Sequence, residues 1–156
     1  MLVIAPLLVA HNVWPNETRK WKQFENLTVH VLHGKDKRTD VDADIYVINP
    51  EGLPWLKDNW KSLPAFHTLV IDESTKFKHS NTKRFKLLKP LLPTFSRRYI
   101  LTGSPAANGL LDLFGQMYVL DLGRSLGKYI THFRNRFFYP TGYGGYEWKL
   151  RQGGEH

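Results

Sequence analysis

Short, unbroken apolar runs, each closed by a polar, glycine or proline turn, are the feature that most constrains this chain. Leu2-Val3-Ile4-Ala5-Pro6 and Leu69-Val70-Ile71-Asp72 carry no polar alternation. A strand that reads this way is buried on both faces, as strands are in a parallel sheet covered by helices. Similar β-branched runs predict strands at Leu2–Ala5, Leu27–Leu32, Asp44–Ile48, Thr68–Ile71 and Arg98–Leu101. Between them, helical spacing predicts helices at about Val13–Phe24, Leu53–Lys61, Thr82–Leu88, Leu110–Leu120 and Leu126–Phe138. Within the first, Val13, Trp14, Trp21 and Phe24 recur at steps that suit one amphipathic face. The fold class is therefore α/β: a mainly parallel sheet of about five strands between helical layers. A chain of 156 residues is long enough to bury one such core.

Other chemistries are excluded early. There is no cysteine, so disulfides, thiolate metal sites and cysteine nucleophiles are ruled out, and an intracellular, cytoplasmic setting is expected. The apolar start lacks a basic leader, is interrupted by Pro6 and turns polar at His11, which fits a buried strand better than a signal peptide. The histidines show no HExxH or paired ligand spacing, and no hydroxyl sits in a nucleophile elbow.

In open parallel sheets, ligands gather outside the carboxyl ends of the strands. The run ending at Ile71 delivers Asp72 and Glu73 to that edge. Adjacent carboxylates there can hold a hydrated magnesium ion and orient a water, although an isolated Asp-Glu pair also serves to open a turn or cap a helix. The other strand ends supply the context: Ala5-Pro6, Asn49-Pro50-Glu51-Gly52, and the small-residue loop Thr102-Gly103-Ser104-Pro105.

Taken in order, these strings resemble the first RecA-like lobe of superfamily-two helicase-like ATPases, closest to Swi/Snf-type DNA translocases, phage-type members included. VIAP followed by Trp14 and Arg19-Lys20-Trp21 looks like motif Ia, and VINPEGL looks like motif Ib. VIDEST is similar to the Walker B box, and ILTGSPAANGLLDLFGQMYVLD to motif III with the helix that follows it. The resemblance covers residues 1 to about 150 and implies a partial RecA-like lobe over 1–139, with a Gly/Tyr-rich tail over 140–156.

The resemblance also implies roles. Asp72 and Glu73 would be the Walker B pair, with Asp72 the magnesium ligand if a nucleotide site is completed. Thr102, Gly103, Ser104 and Pro105 would couple that site to the rest of the lobe. Pro6, Asn49, Glu51 and Gly52 would lie on the side facing DNA. A complete lobe opens with a G-x-x-x-x-G-K-S/T loop that cradles the phosphates, and no such string occurs in these 156 residues. The arginine-bearing second lobe is absent from them too. ATP and magnesium are therefore expected only if the phosphate loop is supplied elsewhere, and the chain alone is not expected to be an ATPase.

Charge points to a nucleic-acid partner. Lys and Arg number 22 against 14 Asp and Glu, a formal net charge of +8. Ser74 to Leu111 contains no acid but eight bases: Lys76, Lys78, Lys83, Arg84, Lys86, Lys89, Arg97 and Arg98. That interval carries the whole excess, and Lys76, Lys78, Lys83, Arg84 and Lys86 join the expected DNA-binding residues. The basic-aromatic segment Arg134–Tyr139 is read as a helix using its aromatic rings as core. Two functional classes remain open: part of an ATP-driven DNA translocase, or a stand-alone phage-type adaptor or inhibitor that imitates the lobe without hydrolysing ATP. A sheet lacking a strand would leave an exposed edge, so a homodimer or a protein partner is expected as well.

Overall fold

The computed structural model describes residues 1–145 and 147–151. Its centre is a five-stranded, wholly parallel sheet of β1 (Leu2–Ile4), β2 (Val29–Val31), β3 (Ile45–Ile48), β4 (Thr68–Asp72) and β5 (Arg97–Leu101). The spatial order is β2-β3-β1-β4-β5. Central β1 pairs Ile4 with Ile48 on one side and with Ile71 on the other. The unbroken apolar runs are thus the central strands, and Leu2, Val3 and Ile4 have no exposed surface.

Odd and even residues of these strands feed two cores. On one face Leu2, Ile4, Tyr46, Ile48, Leu69 and Ile71 pack under α2 (Leu53–Asp58), α3 (Lys83–Leu88) and α4 (Leu113–Asp121). Burying each such aliphatic side chain contributes about 1.5–3 kcal/mol before entropy is counted. The Tyr46 hydroxyl is satisfied inside this core by the Ala43 N–H at 3.1 Å and by the Val41 carbonyl, so the ring can be buried without a polar cost. On the other face Val3, Ala5, Ile45 and Val47 meet Val9, Ala10 and Trp14.

The element covering that second face differs from one regular helix. Val9–Val13 form a π-helical turn, α1 spans only Trp14–Lys20, and Trp21 is extended before a 3₁₀ turn at Lys22–Phe24. Pro15 near the start of α1 has no N–H to give to a regular helical ladder, which fits a break in hydrogen-bond pattern here. Cover on this face stops short of β5, where Tyr99 and Leu101 are 52% and 48% exposed.

Other expected helices shorten to α2, α3 and α4, and the last becomes α5 (Ile130–Phe137). Phe138 then opens an antiparallel ribbon, β6 (Phe138–Thr141) with β7 (Glu147–Leu150), across the junction expected at 139–140. Little strand periodicity marks this ribbon in the sequence, because the alternation is only Glu-Trp-Lys-Leu. Trp148 and Leu150 face a third cluster of Phe114, Phe133 and Phe138. Residues 152–156 of the expected tail lie outside the described residues. No helix among the described residues is long and apolar enough to cross a membrane.

Candidate functional site

Parallel strands of similar length end together, and the order β3-β1-β4-β5 sets Asn49, Pro6, Asp72 and Thr102 side by side along the carboxyl edge. The sheet therefore gathers all four strand-end motifs in one row.

Asp72 closes β4 with its carboxylate partly buried, and its Oδ2 accepts a 3.3 Å hydrogen bond from Trp14 Nε1. Glu73 follows in the left-handed region, at φ 60° and ψ 59°. For a residue with a Cβ this conformation costs roughly 1–2 kcal/mol. It turns the chain sharply out of the strand and leaves the Glu73 carboxylate exposed, with Oε1 accepting from Thr75 Oγ1 at 2.8 Å. The two acids thus occupy different environments: Asp72 is anchored to the helix of the VIAP segment, and Glu73 stands free at the rim.

The turn after Glu73 is fastened to α4. Ser74, 1% exposed, donates from Oγ to Gln116 Oε1 at 2.6 Å, and Gln116 Nε2 donates to the Pro105 and Asp112 carbonyls at 2.6 and 2.9 Å. Gly115 N–H donates to the Lys78 carbonyl at 3.2 Å, and Lys78 Nζ meets Asp112 Oδ2 at 2.9 Å. Within the small-residue loop, Ser104 N–H donates to Thr102 Oγ1 at 3.3 Å, while Gly103, Ser104 and Pro105 are exposed. The motif III resemblance spans Gln116 and Asp112 but assigns neither a role. The signal available in the sequence is a glutamine inside an apolar helix, which calls for buried partners.

Asn49, Pro50 and Gly52 are buried, whereas Glu51 is exposed and accepts from Asn49 Nδ2 at 2.8 Å. A Cβ on Gly52 would lie 2.6 Å from Ile48 Cγ1, so glycine is needed here for packing. Pro6 is half-buried at the end of β1. Glu51, Pro54, Lys83, Arg84 and Leu87 line a shared groove, which places the VINPEGL turn next to the basic helix α3. Lys76, Lys83 and Lys86 are exposed and Arg84 partly so.

Two members of the acid-free interval are committed elsewhere. Lys78 is held in its ion pair with Asp112, and Arg98 donates to the carbonyls of Leu92 and Leu120 at 3.2 and 2.9 Å and also to that of Phe95. Lys89 stacks 4.9 Å from the Tyr118 ring centre. The interval's charge is thus split between structural contacts and a solvent-facing group on and beside α3.

A five-stranded parallel sheet flanked by helices, matching an SNF2 ATPase core, gives the chain a RecA-like fold. The chain belongs to the SNF2-related domain family, whose model matches residues 1–149. It is 34% identical to putative protein p41 of Acyrthosiphon pisum secondary endosymbiont phage 1, over 94% of this chain and 34% of that protein. It is 30% identical to chromodomain-helicase-DNA-binding protein 7 of Gallus gallus, over 79% of this chain and 4% of that protein. The Sulfolobus solfataricus SWI2/SNF2 ATPase core, solved in complex with dsDNA, superposes with a TM-score of 0.70 at 30% identity, covering 87% of this chain and 27% of that one. The chain spans about a third or less of the length of these relatives.

Proposed function

We propose that these residues form the DNA-contacting part of the first lobe of an ATP-driven DNA translocase, and that on their own they do not hydrolyse ATP. The observation that carries the reading is the groove joining Glu51 and Pro54 to Lys83 and Arg84. It sets a loop expected to face DNA against Lys83 and Arg84, two cations that make no ion pair among the described residues. Contacts of this kind engage the sugar-phosphate backbone and read little sequence. The Sulfolobus neighbour was solved in complex with dsDNA, which supports the same partner.

The Asp72–Glu73 pair fits a magnesium ion in a limited way. Magnesium is commonly held by one or two carboxylates with waters and substrate phosphates completing the shell, and among the described residues no cluster of three or more metal-ligating side chains occurs. Asp72, steadied by Trp14, would hold the ion through one carboxylate, and Glu73 would orient a water from the rim. The ion would supply charge neutralisation at a phosphate. Phosphoryl transfer rests on positioning and charge stabilisation, and an arginine finger alone is worth about 10³–10⁵ in rate. Two carboxylates without those groups do not sustain it. The free edge of β5, with Tyr99 and Leu101 exposed, is where a further strand or a second copy would bind, and the setting is the cytoplasm of a bacterial host.

Fluorescence anisotropy with duplex and single-stranded DNA at two salt concentrations tests the main reading. Binding that weakens steeply with salt is expected, and absence of binding at low salt overturns it. Magnesium-dependent ATP hydrolysis by the purified chain, abolished by Glu73→Gln, would overturn the second clause. A strictly monomeric particle in light scattering at high concentration would count against the second copy.

A further inference from the structure

A cleft of about 430 Å³ opens between the loop after β4, the loop before α4 and the face of α5. It lies outside the row of strand-end motifs, and its lining sets the polar side chains of Ser80, Asn81, Asn108 and Arg134 beside apolar Leu111 and Ile130. The one acid there, Asp112, is already neutralised, since its Oδ2 accepts from Lys78 Nζ at 2.9 Å and from the Asn108 N–H at 3.2 Å. Arg134 is different. Its guanidinium rests 5.4 Å from the Trp148 ring centre, which orients it, and among the described residues it makes no ion pair. Its Nε is shielded from solvent and has no hydrogen-bond partner.

A shielded, unpartnered guanidinium nitrogen is costly, because the N–H has left water without replacement. The cleft is thus bordered by a cation that no acid among the described residues pairs, with neutral donors on part of its lining. From this we infer that the cleft is a binding site for a phosphate-type oxyanion. Arg134 presents a fork suited to two oxygens, and donors from Ser80, Asn81 and Asn108 reach from other walls, which suits a tetrahedral anion with oxygens in several directions better than a planar carboxylate. The volume is enough for a phosphate or a phosphodiester with its flanking atoms. The same chemistry is offered by a DNA backbone phosphate and by a free phosphate compound. The site does not depend on the α3 surface.

Nuclear magnetic resonance of the full ¹⁵N-labelled chain, titrated with inorganic phosphate at constant ionic strength, tests the site. Saturable shifts are expected at the amides of residues 78–81, 108–112 and 130–134 and at the Arg134 Nε–H, with none at Lys83–Lys86. Arg134→Gln should abolish them. Because that change also removes the Trp148 contact, Asn81→Asp is the second variant: it places an anion at an exposed loop position and should abolish the shifts in a chain whose spectrum is otherwise unchanged. Absence of saturable shifts in the folded wild-type chain, or shifts that survive Asn81→Asp, overturns the inference. With the shifts established, duplex DNA separates the two sources. A several-fold loss of DNA affinity in Asn81→Asp, with the shifts suppressed by prebound DNA, assigns the site to a backbone phosphate; unchanged DNA affinity assigns it to a free phosphate compound. Loss of DNA binding on reversing the α3 charges, with the phosphate shifts retained, would separate this site from the proposed DNA surface.

Discussion

Ser74 and Gln116, 42 positions apart, share a 2.6 Å hydrogen bond in the interior, and the same glutamine amide donates 2.6 Å to the Pro105 carbonyl. One side chain from α4 thus clamps the turn after the Asp72–Glu73 pair to the end of the Thr102–Pro105 loop. Two motifs at neighbouring strand ends are thereby joined through one buried amide.

Gln116→Leu is expected to cost about 2 kcal/mol, because it strands the Ser74 hydroxyl and the Pro105 carbonyl without partners. In a chain of this size that lowers Tm by roughly 4–8 °C. Thermal and urea melts measure it. A double change, Ser74→Ala with Gln116→Leu, should cost less than the sum of the two single changes, since both remove one bond.

Gly115→Ala and Gly52→Ala should differ in severity although both are helix or turn glycines in close contact. A Cβ on Gly115 would lie 2.5 Å from the Lys78 carbonyl oxygen and closer still to that of Phe77, both backbone atoms. On Gly52 its closest neighbours would be atoms of the Ile48 side chain, at 2.6 and 2.8 Å. A buried side chain can give by a few tenths of an ångström where backbone cannot, so Gly115→Ala is expected to cost about 3 kcal/mol and Gly52→Ala, though also destabilising, about 2 kcal/mol. Equal losses in urea titration would contradict this packing account.

The sheet was legible in the sequence because its central strands are buried on both faces, and LVIAP and LVID say so directly. The motif row followed, since parallel strands must end on one edge. What the sequence did not disclose depends on contacts between distant segments. Nothing local to Lys78 or Arg98 distinguishes them from Lys83 or Lys86; only the approach of Asp112 and the carbonyls of Leu92 and Leu120 does so. The helix expected over Val13–Phe24 stops at Lys20 because Trp21 is extended, a break that apolar spacing alone does not register. Arg134 stands among aromatic residues in the sequence, and Phe133 and Phe138 are indeed core, yet no local pattern announces the cleft that Arg134 lines.

Trp14→Phe removes the indole N–H that reaches Asp72 Oδ2 while preserving most of the apolar contact with Val3 and Ala10. The expected loss is about 1 kcal/mol, the worth of a partly exposed hydrogen bond to a carboxylate. In a cycle with Asp72→Ala the coupling energy should be of similar size. Zero coupling would mean that the 3.3 Å contact has no energetic weight.

Asp121 provides the acid-side pH dependence. Burial pushes its pKa up, but hydrogen bonds from the Ser125 side chain and from the Ser125, Gly123 and Arg124 N–H groups outweigh that and hold it below the ordinary 3.8. A depressed folded-state value means the stabilisation is complete above the unfolded pKa and is lost as pH falls through the folded one. The difference in stability between wild type and Asp121→Asn should therefore be constant near neutrality and shrink once the pH drops below about 3.8. The side chain is partly exposed, so with solvent screening the effect should stay under about 1 kcal/mol. Urea melts from neutral pH down through this range give the curve.

The split of the basic interval yields opposite phenotypes for residues that look alike in sequence. Lys83→Glu with Arg84→Glu reverses two charges on the outer side of α3, where neither makes an ion pair among the described residues. Stability should change by less than about 0.5 kcal/mol, while DNA affinity falls and the slope of log affinity against log salt drops by roughly two. Lys78→Ala should do the reverse. Its side chain is 20% exposed and that of its partner Asp112 only 6%, so removal leaves a shielded carboxylate with one backbone donor. Breaking a buried pair in this way costs on the order of 3 kcal/mol, and because the Lys78 ammonium is already paired with Asp112, the salt slope of the folded fraction should fall by less than in the Lys83 and Arg84 double variant. Anisotropy across a salt series, paired with urea melts of the same samples, reads both quantities. If Lys78→Ala lowered the slope while leaving stability intact, the assignment of Lys78 to the structural group and of Lys83 and Arg84 to the DNA surface would be reversed.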